Sequence, residues 1–153
     1  KTAPAIPKAV KSFLSDTSSF SPEWSGSILR MLPESVRGAY PLLREHLRIL
    51  SAGICIGEAK GKDFIPAEEL ALSTALRPDA FPVADLDWDD AIRYLKKEAL
   101  LLPAGTEKGY VLVRHKKFPL GFAKHLGNRA NNLYPQEWRI RTGYIPEQVK
   151  TFE

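Results

Sequence analysis

Residues 109 to 124, GYVLVRHKKFPLGFAK, constrain what this chain can fold into more than any other stretch. Two short apolar runs flank a Lys-Lys-Phe-Pro corner, and in the first run Tyr110, Leu112 and Arg114 alternate with Val111 and Val113. Alternation with a period of two marks a strand whose faces differ. With turn residues 116–119 between them, the two runs read as a hairpin. Just upstream, Asp87 is placed to N-cap a helix running to about Leu100, with acids at 89 and 90 against the positive end of its dipole. Trp88, Ile92, Leu95 and Ala99 form the apolar stripe of that helix, and Arg93, Lys96 and Lys97 occupy the rest. Another short strand is expected at 100–102. A helix followed by short strands, with Gly and Pro at the corners, predicts an α+β fold built on a small barrel or curled sheet.

The first half reads differently. Residues 1–23 are rich in Pro, Ser and Thr without a clear period, and are expected to be a linker or tail. Leu42, Leu43, His46, Leu47 and Leu50 recur at helical spacing, which predicts a helix over 40–50 with Pro41 in its first turn. Ile54 with Ile56, and Phe64 with Ile65, predict two strands about the Lys60-Gly61-Lys62 turn, followed by a helix over 66–76. The stretch LRPDAFPVADLDW then reads as a connector. Two small modules result, 24–84 and 85–146, with a tail at 147–153.

At 153 residues and 44% hydrophobic content the chain can bury a core, and no apolar run approaches the length needed to cross a bilayer. Cys55 is the only cysteine, which excludes intrachain disulfides and thiolate zinc sites and fits a reducing, cytoplasmic setting. His46, His115 and His125 lack metal-ligand spacing, so no metal is expected. The chain begins on Lys1 and a Pro-rich segment, and is expected to be a piece of something longer. Its net charge of +4 is unevenly spread: from Lys108 to Arg141 there are eight basic residues against one acid, a local net of +7, which leaves −3 for the remainder. Such a split fits either an anionic partner, nucleic acid above all, or a surface kept basic for solubility.

The blocks "GEAKGKDFIP", "AIRYLKKEAL" and "GYVLVRHKKFPLGFAKHLGNRANNLYPQEWRIR" resemble the C-terminal region of the RsmF-type rRNA (cytosine-5-)-methyltransferases, the Sun/Fmu class. The similarity spans roughly residues 24 to 146. It implies that 24–84 is the first C-terminal module and 85–146 a PUA-like RNA-binding domain, a mixed β-barrel with short flanking helices. In that family a separate catalytic domain binds S-adenosylmethionine and uses two cysteines; this chain has one cysteine and no glycine-rich loop after a strand, so no catalytic residue and no cofactor site is expected in it.

The candidate RNA contacts are Lys124, Arg129, Asn131 and Asn132, just past a strand, together with Arg114, Lys116, Lys117, Arg139 and Arg141. Arginine can grip a phosphate through two parallel N–H bonds, and asparagine amides offer both donor and acceptor to base edges. The asparagines, with Asn128, are equally residues that cap turns by bonding their own backbone, and Gly127 supplies a positive φ there. Trp138 is expected to close the core. Tyr134 either packs under the loop or faces RNA. Lys96 and Lys97 either extend the basic surface or form an ordinary solvated face. The resulting expectation is a module that binds rRNA and positions it for a methyltransferase domain in cis; the alternative is a protein-docking module with little RNA affinity.

Overall fold

The computed structural model describes residues 6–144, which form two compact units divided between Phe81 and Pro82. The expected tail at 147–153 lies outside the described residues.

In the first unit, strands β1 (Phe20–Ser25), β2 (Ile28–Pro33), β3 (Ile54–Lys60) and β4 (Asp63–Pro66) make an antiparallel sheet in chain order. The β3–β4 turn is Gly61-Lys62, with Gly61 at φ +61°, as a tight two-residue hairpin turn requires. Leu29, Met31 and Ile56 are buried on this sheet together with Leu70 and Ala71 of the short helix α4 (Glu68–Ala71). Helix α1 (Lys8–Lys11), α2 (Glu34–Arg37) and α3 (Tyr40–His46) complete the unit.

Part of the stretch expected to be a linker is built into this core. Val10 is fully buried, Leu14 nearly so and bridged to Leu76, and the Phe13 ring lies 4.5 Å from that of Phe81. Val10, Phe13 and Leu14 follow the i, i+3, i+4 spacing of one amphipathic turn, a signal masked by the surrounding Pro and Ser. The expected helices are also shorter. That over 40–50 ends at His46, where Leu47 turns extended, and that over 66–76 shrinks to α4 because Pro66 still pairs with Gly57 as the last residue of β4.

The second unit begins with a strand where a connector was expected: β5 (Val83–Leu86) runs parallel to β6 (Gly109–His115). Helix α5 (Trp88–Leu95) makes the crossover, as parallel neighbours require. Next come β7 (Phe118–His125) and β8 (Ala130–Asn132), both antiparallel, giving the order β5-β6-β7-β8. Among the described residues the sheet is open, with β5 and β8 at its edges. The strand expected at 100–102 is a single bridge, Leu100 to Ala130.

Asp87 caps α5 as expected, its carboxylate accepting the Asp90 N–H at 2.8 Å. The buried face of the helix keeps Ile92 and Leu95 of the expected stripe, but not Ala99, which is exposed, and it does not centre on them. Its centre is Tyr94, 0% exposed, whose hydroxyl donates to the Phe122 carbonyl and whose ring packs among Leu86, Ala91, Leu100, Val113 and Ala123. Tyrosine can occupy such a core because its one polar atom reaches a partner. The helix ends earlier than Leu100, in a turn where Lys97 takes φ +60° and the Glu98 N–H reaches back to the Arg93 carbonyl. This is the left-handed helix stop usually given to glycine.

Candidate nucleic-acid interface

The candidate basic residues of the second unit lie at the two ends of the β6–β7 ladder and on the segment after β8, rather than on one patch. Seven residues of strand at about 3.3 Å each separate the ladder's ends by about 20 Å.

At one end, Tyr110, Lys124 and Asn131 are cross-strand neighbours on β6, β7 and β8 and therefore share a face. The Lys124 ammonium sits 4.8 Å from the centre of the Tyr110 ring, a cation–π contact that holds the lysine in place. Past β7, the Leu126 N–H bonds the Arg129 carbonyl and Gly127 has φ +105°, so Asn128 and Arg129 project from a closed turn and are exposed. Fixed backbone thus presents Lys124, Arg129 and Asn131 at this end of the hairpin.

At the other end is the Lys116-Lys117 turn. Lys116 takes φ +55°, a conformation that favours glycine, and Lys117 lies over the ring of Phe118, which is 55% exposed. Arg114 is paired on the surface: its Nε and one terminal nitrogen both bond the Asp85 carboxylate on β5. The hydrogen bonds from Arg114 hold the Asp85 carboxyl below the ordinary carboxylate range, and Asp85 raises the Arg114 guanidinium in turn. A group with a lowered folded pKa adds stability above its unfolded pKa and loses it as pH falls through the folded value. For so exposed a pair the contribution is at most about 1 kcal/mol. An NMR titration of the Asp85 carboxyl should therefore show a midpoint below that of a free aspartate, returning toward it in Arg114→Ala.

Asn132 is likewise engaged inside the fold. Its side-chain amide donates to the Tyr94 and Glu98 carbonyls and its oxygen accepts the Tyr134 N–H, so all its main hydrogen-bonding capacity goes to tying β8 to the end of α5. Lys97 makes the same connection from the helix, its ammonium donating to the Asn132 and Tyr134 carbonyls. Of the two readings of Lys97 as surface, neither describes it. Tyr134 packs edge-on against Tyr94, which decides for its place under the loop. Beyond it a 3₁₀ turn, Gln136–Trp138, interrupts the strand-like alternation from which a buried Trp138 was expected. Trp138 is 49% exposed, and Arg139 and Arg141 follow it, also exposed.

Three features were not read from the sequence: the Tyr110–Lys124 contact, the Asn132–Lys97 clamp and the exposed Trp138. Among the described residues no cluster of His, Cys, Asp or Glu could hold a metal ion, and no helix is long and apolar enough to cross a membrane.

Residues 81–140 match the family model described as the methyltransferase RsmF PUA domain. The second unit is a PUA domain of the RsmF type. Similar relatives agree. The ribosomal RNA small subunit methyltransferase F of Shewanella baltica (strain OS195) is 32% identical over 110 residues, covering 69% of this chain and 22% of that protein. That of Shewanella pealeana is 32% identical over 92 residues, 60% of this chain and 18% of that protein. The chain thus spans about a fifth of the length of the curated relatives it matches. Both ends of the hairpin ladder, the clamp and Trp138 fall within the matched PUA domain.

Proposed function

We propose that this chain is the RNA-binding part of an rRNA methyltransferase, and that its PUA domain positions structured rRNA for a catalytic domain carried in cis in the cytoplasm. The observation that carries the reading is the presentation of Lys124 and Arg129 on rigid backbone at one end of the β6–β7 hairpin, within a domain of RsmF PUA type. Such side chains suit phosphate oxygens and 2′-hydroxyls, which dominate recognition of folded RNA. Lys116 and Lys117, about 20 Å away, would add a second contact to the same backbone; Arg139 and Arg141 supply the third basic group. Arg114 is instead paired with Asp85 on the surface, and Asn132 supports the surface from within the fold.

Methyl transfer itself would belong to the catalytic domain, with its S-adenosylmethionine. The one thiol in this chain, Cys55, is half-buried, and burial pushes its pKa up, the opposite of what a nucleophilic cysteine needs.

Fluorescence anisotropy with a small-subunit rRNA helix at two salt concentrations tests the proposal. Affinity should fall steeply with salt, and Lys124→Ala/Arg129→Ala should make the log–log slope shallower by roughly 1.5 to 2, on the order of one counterion per lost contact. An unchanged slope would remove these residues from the interface.

One observation favours a second role for the first unit. Leu42, Leu47 and Leu50 are exposed, Leu50 at 86%, and Leu32, Val36, Leu43 and Ile49 line an open apolar groove beside them. Apolar surface of this kind suits docking onto a protein. Leu47→Glu should then weaken association with the catalytic domain while leaving RNA binding by the PUA domain unchanged, which a size-exclusion assay of the mixed domains would show.

A further inference from the structure

Resting on the RNA-binding reading, we infer that Trp138 is a stacking site for one unpaired nucleobase, with Arg139 and Arg141 beside it to hold the adjoining phosphates. A large apolar ring half in water is common on a mobile tail, but this one is fixed. The Trp138 backbone N–H bonds the Pro135 carbonyl, and two residues later the Ile140 N–H bonds the Leu95 carbonyl at the end of α5. The indole meets Tyr134 at 6.4 Å and 74°, Tyr134 meets Tyr94 at 5.5 Å and 63°, and Tyr94 is wholly buried. A ladder of edge-to-face contacts therefore runs from the core to the surface, and such a contact engages at most one face of the terminal ring. The Asn132–Lys97 clamp fixes the loop from which Tyr134 and Trp138 project.

What fits the exposed face follows from its neighbours. Arg139 and Arg141 are exposed and positive, with Glu137 the one acid alongside. An aromatic face next to guanidinium groups suits a nucleotide, whose base stacks while its phosphate pairs with arginine. Bases inside a duplex have no free face. The ligand is therefore a loop, bulge or strand end, chemically distinct from the backbone contacts assigned to Lys124 and Arg129. Because the ring is already held, little ordering entropy opposes binding.

The chain contains three tryptophans, so in the Trp24→Phe/Trp88→Phe variant all indole emission comes from Trp138. Titration with an rRNA hairpin carrying an unpaired loop should quench that emission, whereas the same sequence as a full duplex should bind without quenching. In the otherwise native chain, Trp138→Ala should weaken loop RNA about tenfold without changing the salt slope or the duplex affinity, and Trp138→Phe should keep most of the loss away. If the double variant does not fold, the Ala and Phe comparison by anisotropy still decides. Loop RNA that binds with no quenching, or with equal affinity after Trp138→Ala, overturns the stacking site and leaves the backbone-contact reading standing. Absence of any RNA binding by the native chain at low salt overturns both.

Discussion

Tyr94→Ala is expected to destabilise the PUA domain by about 3 to 5 kcal/mol, the range for removing a fully buried aromatic side chain. Tyr94 is 0% exposed, and the pocket it fills is lined by strands β5, β6 and β7 together with Leu100, elements that cannot collapse inward without breaking the sheet register. The variant also removes the Tyr94 hydroxyl from the Phe122 carbonyl, which keeps only the Leu133 N–H as a donor from the loop after β8. Small domains have total stabilities near the low end of about 5 to 15 kcal/mol, so a loss of this size leaves the unit only marginally folded. For a domain of this length each kcal/mol moves Tm by about 4 to 8 °C, so the transition should fall by at least 12 °C. Tyr94→Phe isolates the hydroxyl. It should cost about 1 kcal/mol, the net worth of one neutral hydrogen bond, since the Phe122 carbonyl still accepts the Leu133 N–H. Differential scanning calorimetry of the two variants separates the terms: equal losses would mean that the hydroxyl, not the ring, holds the core.

The difference between what the residues foretold and what they built turns on one extra residue in β7. The hairpin, the α5 cap and the second-unit α+β architecture were legible because each rests on a local signal: a period of two, an Asp three residues before the N–H it caps, acids in the first turn. Cross-strand partners are not local. A regular ladder grown from the two-residue Lys116-Lys117 turn would set Tyr110 opposite Ala123. Instead the register shifts between Val113 and Arg114, leaving Leu120 without a partner between Pro119 and Gly121 and bringing Lys124 across from Tyr110. A one-residue shift decides which side chains share a face. The Pro and Gly that flank Leu120 were the available hint of a bulge, and they do not say on which side of the turn the shift falls.

Burial was misread for a related reason. Trp138 followed an alternating pattern, but a 3₁₀ turn begins at Pro135 and the alternation there describes no strand. Tyr94 was passed over because a hydroxyl counts as polar in any pattern of apolar positions, although a single well-placed carbonyl makes it a core residue. In the first unit, Val10, Phe13 and Leu14 were hidden in a Pro- and Ser-rich stretch that composition alone assigns to a tail. The candidate RNA contacts fared similarly. Lys124 and Arg129 are presented on the surface of the hairpin end, while Arg114 and Asn132 carry the same chemistry and bond Asp85 and the end of α5. Donor inventories cannot tell these apart, because the same hydrogen bonds serve either purpose.

Asn132→Ala should cost the PUA domain about 2 to 3 kcal/mol, and the loss should be shared with Lys97 rather than added to it. Removing the side chain deprives the Tyr94 and Glu98 carbonyls of a donor and the Tyr134 N–H of its acceptor. The N–H is the costly one, since a part-buried donor left without a partner forfeits about 1 to 3 kcal/mol. Lys97 sits in the left-handed region, where a side chain costs roughly 1 to 2 kcal/mol over glycine. If that conformation were the whole story, Lys97→Gly would stabilise the domain. Its ammonium, however, donates to the Asn132 and Tyr134 carbonyls, and hydrogen bonds from a charged group are worth about 1.5 to 3 kcal/mol each. Lys97→Gly is therefore expected to be destabilising on balance, and the double variant to lose less than the sum of the singles, because either change alone already frees the loop after β8. Chemical denaturation of the four proteins gives the coupling directly. A stabilised Lys97→Gly variant, or strictly additive losses, would mean that the loop bearing Tyr134 and Trp138 is held by its aromatic contacts alone.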